Sequence, residues 1–138
     1  MTRKAKLRAL RESASSTQGH LCFYCRHPMW HADAKAFAAM HGISRIQARM
    51  FRATAEHLTA QMQGGRTVAS NIVAACGFCN HGRHALFPGA APDPQTYSSF
   101  VLLSVAAGLW HGKHVTTNRG VVCERPRGSN ASVSLYDC

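Results

Sequence analysis

Two short cysteine pairs, Cys22-Phe-Tyr-Cys25 and Cys76-Gly-Phe-Cys79, stand far apart in a 138-residue chain. Each CxxC folds its intervening backbone into a turn that directs two thiolates at one ion, and two such pairs have the spacing of a tetrahedral four-cysteine zinc site. Around the second pair lie Glu56-His57, Gly64-Gly65, Asn71, Asn80 and His84. A free imidazole titrates at about 6.5, so His57 can take a proton from water near neutral pH. Adjacent strand residues point to opposite sides, which lets Glu56 face a metal while His57 faces an attacking water. Asn80 and His84, four residues apart, share a helical face. Glu56, Asn80 and His84 together offer a carboxylate, an amide oxygen and an imidazole to a divalent cation. The oxygen ligands suit Mg2+ or Mn2+, and the imidazole suits Mn2+, Ni2+ or Zn2+ better. One cation and one base cover what phosphodiester hydrolysis needs: an activated nucleophile, neutralised phosphoryl oxygens and a stabilised leaving oxygen. Taken singly, each residue also has a plain structural reading. Glu56 can pair with Arg49 or Arg52 at the surface, Asn80 suits a helix N-cap, and Asn71 suits a turn or strand end.

The elements that must position these residues follow from pattern. Residues 1–12 form a basic arm with Leu7 and Leu10 on one helical face, and the polar stretch 13–19 breaks it. Residues 21–26 make the first knuckle, ended by His27 and Pro28. A helix is predicted over 33–41 and stopped by Gly42, then a second over 45–52 capped by Ser44. Ile43, Ile46 and Met50 should face the core, leaving Arg45, Arg49 and Arg52 on another face as phosphate contacts. The same order also fits a helix-turn-helix with 45–52 as recognition helix. A strand over 53–58 delivers Glu56 and His57, Gln63-Gly64-Gly65 turns the chain, and 67–74 returns as a second strand. The second knuckle leads into a helix over 80–86. Asp93 caps a last helix with Pro94 at its first position and Gly108 at its end, packed through Tyr97, Phe100, Val101 and Val105. The chain thus divides into a basic arm (1–19), a domain with both knuckles (20–112) and a tail (113–138).

The block from 53 to 84 resembles the HNH endonucleases, whose members carry an acidic residue plus His on one strand, a central Asn, and a final His or Asn beginning a helix after a CxxC. The resemblance implies a small α+β, zinc-stabilised ββα-metal domain with flanking helices. It implies His57 as general base, Glu56 and Asn80 as ligands of the catalytic cation, and Asn71 as the residue that hydrogen-bonds the loop backbone and holds the base. It also implies products with 5'-phosphate and 3'-hydroxyl ends. There are departures: Glu56 stands where Asp is commoner, Asn80 replaces the His of the strict motif, and Thr59-Ala60 replaces the usual Ile-x-Pro continuation. His84 matches a position that ligates metal in some relatives.

Charge points the same way. Sixteen Lys and Arg against six Asp and Glu give a formal net charge of +10, which favours a polyanionic partner through counterion release. Between Asp33 and Asp93 the only acidic side chain is Glu56, and an isolated acid in a basic stretch calls for a task. DNA is the expected partner, with Arg45, Arg49, Arg52, Arg66 and Arg83 on its phosphates; a protein partner or homodimer is left open. There is no apolar h-region near the start and no run of ~20 apolar residues, so a cytoplasmic protein of a bacterial or phage-infected cell is expected. In such a compartment close thiols are zinc ligands rather than disulfides, and Cys123 and Cys138 read as free thiols. His20, His27, His31, His41, His81, His111 and His114 read as surface or packing histidines. The function these readings support is a metal-dependent HNH endonuclease with structural zinc and catalytic Mg2+, Mn2+ or Ni2+. The alternatives are a non-catalytic zinc-stabilised nucleic-acid binding module and a zinc-dependent protein interaction domain.

Overall fold

The computed structural model describes residues 1–112; the tail at 113–138, with His114, Cys123 and Cys138, lies outside the described residues. Helix α1 (Arg3–Thr17) begins at Thr2, whose side chain accepts from Ala5 N. It runs straight through the serines expected to break it. Thr17 donates back to Ser13 O, Ser15 is fully buried, and the helix ends only at Gln18. Gln18 then acts as an edge for the sheet: its amide donates to Leu21 O and Ala74 O and accepts from Ala74 N. The predicted arm and joint are therefore one docked helix. A face of small residues packs where polarity alone signals a loop.

Helix α2 (Ala34–His41) is capped by Asp33 and closed by Gly42 in the left-handed region, as expected. Helix α3 (Arg45–Ala48) has a full capping box between Ser44 and Gln47, but it gives way after four residues to a 3-10 turn, Arg49–Phe51. A helix this short cannot serve as a recognition helix. The switch also re-aims its faces. Ala48 and Phe51 pack with Phe37 and Ala38, with Ile43 and Met50 partly buried against them, while Ile46 is exposed.

Strands β1 (Ala53–His57) and β2 (Ile72–Cys76) pair antiparallel, with Glu56 opposite Val73 and His57 opposite Ile72. The predicted return strand begins five residues late, because Ala69–Asn71 forms a 3-10 turn first. Helix α4 (Gly77–Ala85) follows β2 without a linker and uses the Cys76 side chain as its cap. It starts earlier than predicted, which places Asn80 inside the helix rather than at its cap. Helix α5 (Pro94–Ala106) is capped by Asp93 and carries Pro94 in its first turn. It buries Tyr97, Val101 and Val105 against the cysteines, with Phe100 left 41% exposed. Over the described residues the result is a small α+β unit: a two-stranded sheet and five α-helices. Among the described residues no helix is long and apolar enough to cross a membrane.

Candidate functional site

The two knuckles converge. The first is a tight hairpin in which Cys22 N donates to His27 O and Arg26 N to Cys22 O, with Arg26 at φ 61. Phe23 N donates to Ala74 O and fastens the hairpin to β2. The second forms the β2–α4 junction. Cys22, Cys25, Cys76 and Cys79 are all buried, none is in a disulfide, and their sulfurs lie within 4.8 Å of one another. The Cys25–Cys76 separation of 3.9 Å matches the roughly 3.8 Å edge of a tetrahedron built on a Zn–S distance of about 2.3 Å. Backbone and indole donors point at the sulfurs: Cys76 N to Cys22, Cys79 N to Cys76, and Trp110 Nε1 to Cys79 at 3.2 Å. Burial pushes the Cys25 and Cys79 thiols well up; against the same burial, hydrogen bonds from Cys25, Cys76 and Cys79 hold Cys22 well below the ordinary thiol range. Four thiols in one dry site cannot all ionise unaided, and a divalent cation resolves that conflict. The cluster can hold a structural metal such as zinc.

Two histidines read from sequence as surface or packing residues, His27 and His111, are buried beside this cluster. His27 and His111 gather with Cys25 within 4.8 Å, and His111 Nε2 is 3.8 Å from Cys76 Sγ. Both rings also pack on Phe51. His27 follows the first knuckle directly, a weak signal; His111 is brought in only by the turn after α5.

On the other side of β2, the α4 face of β1 carries Thr54 and Glu56. Asn80 Nδ2 donates to Thr54 Oγ1 at 2.9 Å and to Ala55 O at 3.3 Å, so its amide oxygen is the atom left for a ligand. His84 Nε2 lies 3.4 Å from Glu56 Oε2. The other carboxylate oxygen, Oε1, is engaged: Tyr24 OH donates to it at 3.3 Å, and Arg83 Nη1 donates to it in a short charged contact. Glu56 and Arg83 are each 1% exposed. The surface pairing of Glu56 with Arg49 or Arg52 is thus replaced by a buried pair. Burial and the nearby Glu56 charge raise the Tyr24 phenol far above its usual range and keep it a donor.

Arg83 is corrected from a phosphate contact to a structural one. Its Nε donates to Pro92 O, Nη1 to His57 O, and Nη2 to Leu58 O at 2.8 Å. These bonds use its donors inside the protein and fix the end of β1 on α4. The basic residues Arg45, Arg49, Arg52 and Arg66 are exposed, and the Arg52 guanidinium lies over the Trp30 ring.

No family model matches the chain, and no curated protein or solved structure matches it.

His57 lies next to Glu56 on the strand and, by alternation, on the opposite face. Its Nε2 is 3.1 Å from both Thr67 Oγ1 and the Gln61 amide nitrogen. Both partners can donate, an arrangement that assigns the lone pair to Nε2. Burial lowers the affinity of His57 for a proton, Glu56 opposes that, and Arg3 and His84 add to it. The loop after His57 is closed by Asn71, which accepts from Thr59 N at 2.8 Å and donates to Thr59 O and Arg66 O. Gly65 is required where it stands, since a Cβ there would lie 1.7 Å from Thr59 O.

Proposed function

We propose that the protein is a metal-dependent HNH-type endonuclease acting on DNA, with a zinc ion in the four-cysteine cluster as its structural metal. The observation that carries this reading is the Glu56–His84 pair, 3.4 Å apart across β1 and α4, one residue from an imidazole whose Nε2 meets only Thr67 Oγ1 and the Gln61 amide. Glu56 through Oε2, Asn80 through its amide oxygen, and His84 would hold the divalent cation, Mg2+ or a softer ion such as Mn2+ or Ni2+. That ion, when bound, supplies Lewis-acid stabilisation of the phosphoryl and leaving oxygens. His57 accepts the proton of the attacking water at Nε2, in the place now taken by Thr67 and Gln61. Burial favours the neutral ring, so the base is ready at neutral pH. Asn71 and Arg83 act by position: one closes the loop after His57, and the other holds the His57 and Leu58 carbonyls.

The buried Arg83 favours a second reading, a zinc-stabilised nucleic-acid binding module without chemistry. A guanidinium that neutralises Glu56 gives the carboxylate a structural task and weakens its pull on a cation. One experiment separates the two. Supercoiled plasmid is incubated with the protein and with His57→Ala, each with Mg2+, Mn2+, Ni2+ or Zn2+. Nicking or linearisation that needs the ion and disappears in the variant supports the endonuclease. Salt-sensitive DNA binding without product under any ion supports the module.

A further inference from the structure

A cavity of about 520 Å3 lies between α1, β1 and the segment around His31, on the face of β1 opposite to α4. Lys4, Arg8, Arg11 and Arg52 line it against one carboxylate, Glu12. That carboxylate is engaged by Arg8 at 2.8 Å and by Arg11 at 3.4 Å, so the groove is strongly positive.

Two nitrogen atoms of its lining residues, Arg11 Nε and His31 Nδ1, are closed off from solvent and have no hydrogen-bond partner. A buried donor left unmet is destabilising unless something supplies an acceptor. Arg11 Nε is always a donor. His31 Nε2 sits 2.9 Å from Ser15 Oγ, which also lies 3.3 Å from His20 Nδ1. Four cations around a single, already paired carboxylate are the recognition chemistry of phosphate oxygens. Leu7 and Ala55 add an apolar floor that suits the sugar edge of a backbone better than a free inorganic ion.

The groove also leads to the proposed base. Ala55 is two residues before His57, hence on the same face of β1. At the start of α1, Arg3 donates to Gln61 Oε1 at 3.2 Å, and Gln61 in turn contacts His57 Nε2. We propose that this groove seats the phosphodiester backbone of DNA and leads it toward His57, with the Lys4, Arg8, Arg11 and Arg52 side chains meeting its phosphate oxygens. The inference deepens the nuclease reading and rests on it for the direction of the strand; the binding surface itself does not need catalysis.

The test is fluorescence anisotropy with a DNA duplex over a range of salt, in the His57→Ala background so that no cutting intervenes. Lys4→Gln/Arg8→Gln, both exposed positions, is compared with a pair far from it in sequence, Arg45→Gln/Arg49→Gln, exposed and outside the groove lining, and with Arg11→Gln inside the groove. Circular dichroism and zinc content establish that each variant is folded. The groove pair is expected to weaken binding about tenfold and to lower the slope of log K against log salt by roughly two, as two lost phosphate contacts require. The far pair should change affinity less than about threefold. Groove variants that bind like the parent, or a loss confined to the far pair, overturn the proposal, as does a parent that does not bind the duplex. Plasmid cleavage is scored separately. Groove-dependent binding without cleavage leaves the groove and removes the nuclease, whereas cleavage with groove-independent binding does the reverse.

Discussion

Asn71 holds Thr59 by both of its backbone groups: the amide oxygen accepts from Thr59 N at 2.8 Å, and the amide nitrogen donates to Thr59 O at 3.1 Å. A third bond, to Arg66 O, ties the far side of the same loop. A side chain that pairs like a strand can thus close a loop containing two consecutive glycines, and His57 sits two residues before the clamp.

Asn71→Asp keeps the acceptor and loses both donations, while Asn71→Ala loses all three bonds. At about 1 kcal/mol per net hydrogen bond, the alanine variant should be destabilised by about 2–3 kcal/mol and the aspartate by at least as much, since its second oxygen faces the Thr59 and Arg66 carbonyl oxygens. Gly65→Ala should cost more than Gly64→Ala. The first puts a methyl into Thr59 O, while the second, at φ +84 with open space around it, meets only backbone strain. Urea denaturation of the four variants checks the order.

The buried Glu56–Arg83 pair should respond asymmetrically. Arg83→Met leaves the buried Glu56 without its guanidinium partner and should cost about 3–5 kcal/mol, whereas the double variant Arg83→Met/Glu56→Gln should recover much of that loss. A double-mutant cycle by chemical denaturation measures the coupling. Additive single effects would show that the pair is not worth keeping for the fold.

Zinc removal should unfold the unit, since the four cysteines join both knuckles, β2 and α4 in one cluster. Cys76→Ser should lower metal content and stability most, because Cys76 also caps α4 and its sulfur lies 3.9 Å from Cys25 Sγ and 3.8 Å from His111 Nε2. Elemental analysis and circular dichroism before and after chelation give the readout. A folded protein without metal would mean that the cysteines act only as small apolar side chains.

Acid should act through the histidines. Burial holds His31, His41 and His57 below the ordinary imidazole value of 6.5. Above that pH, both folded and unfolded chains keep these rings neutral. As pH falls through 6.5 the unfolded chain takes up protons first, so stability declines toward acid until the folded rings titrate as well. The same shift sets the activity profile: the rising limb of the cleavage rate should have its midpoint below 6.5. A midpoint above 6.5 would mean that a group other than a buried His57 is the base.

Several elements were legible in the chain because they depend on local chemistry. Asp33 and Gly42 bracket α2, Ser44 begins α3, and Asp93-Pro94 starts α5, each by satisfying a helix end with its own side chain or dihedral angle. The knuckles followed from the geometry of CxxC. Misreadings arose where polarity is a poor guide to burial. Ser15 and Gln18 lie in a docked helix because their polar atoms find His31, Leu21 and Ala74, partners that no local window contains. Ile46 was misplaced because a 3-10 turn breaks the 3.6-residue period on which its assignment relied.

By itself, the sequence determined which groups are present and their local reach: four thiolates in two close pairs, Glu56 beside His57, Asn80 one turn before His84, and an excess of positive charge. These are properties of side-chain type and short spacing. Only the tertiary structure decided what each group faces. It turned Arg83 inward to neutralise Glu56, gave one carboxylate oxygen to Arg83 and Tyr24 and the other to His84, brought His27 and His111 to the cysteines, and laid α1 beside β1 to form a basic groove. The reason is that a charge has no preferred partner until its competitors for water and for contact are placed, and they come from residues far away in the chain.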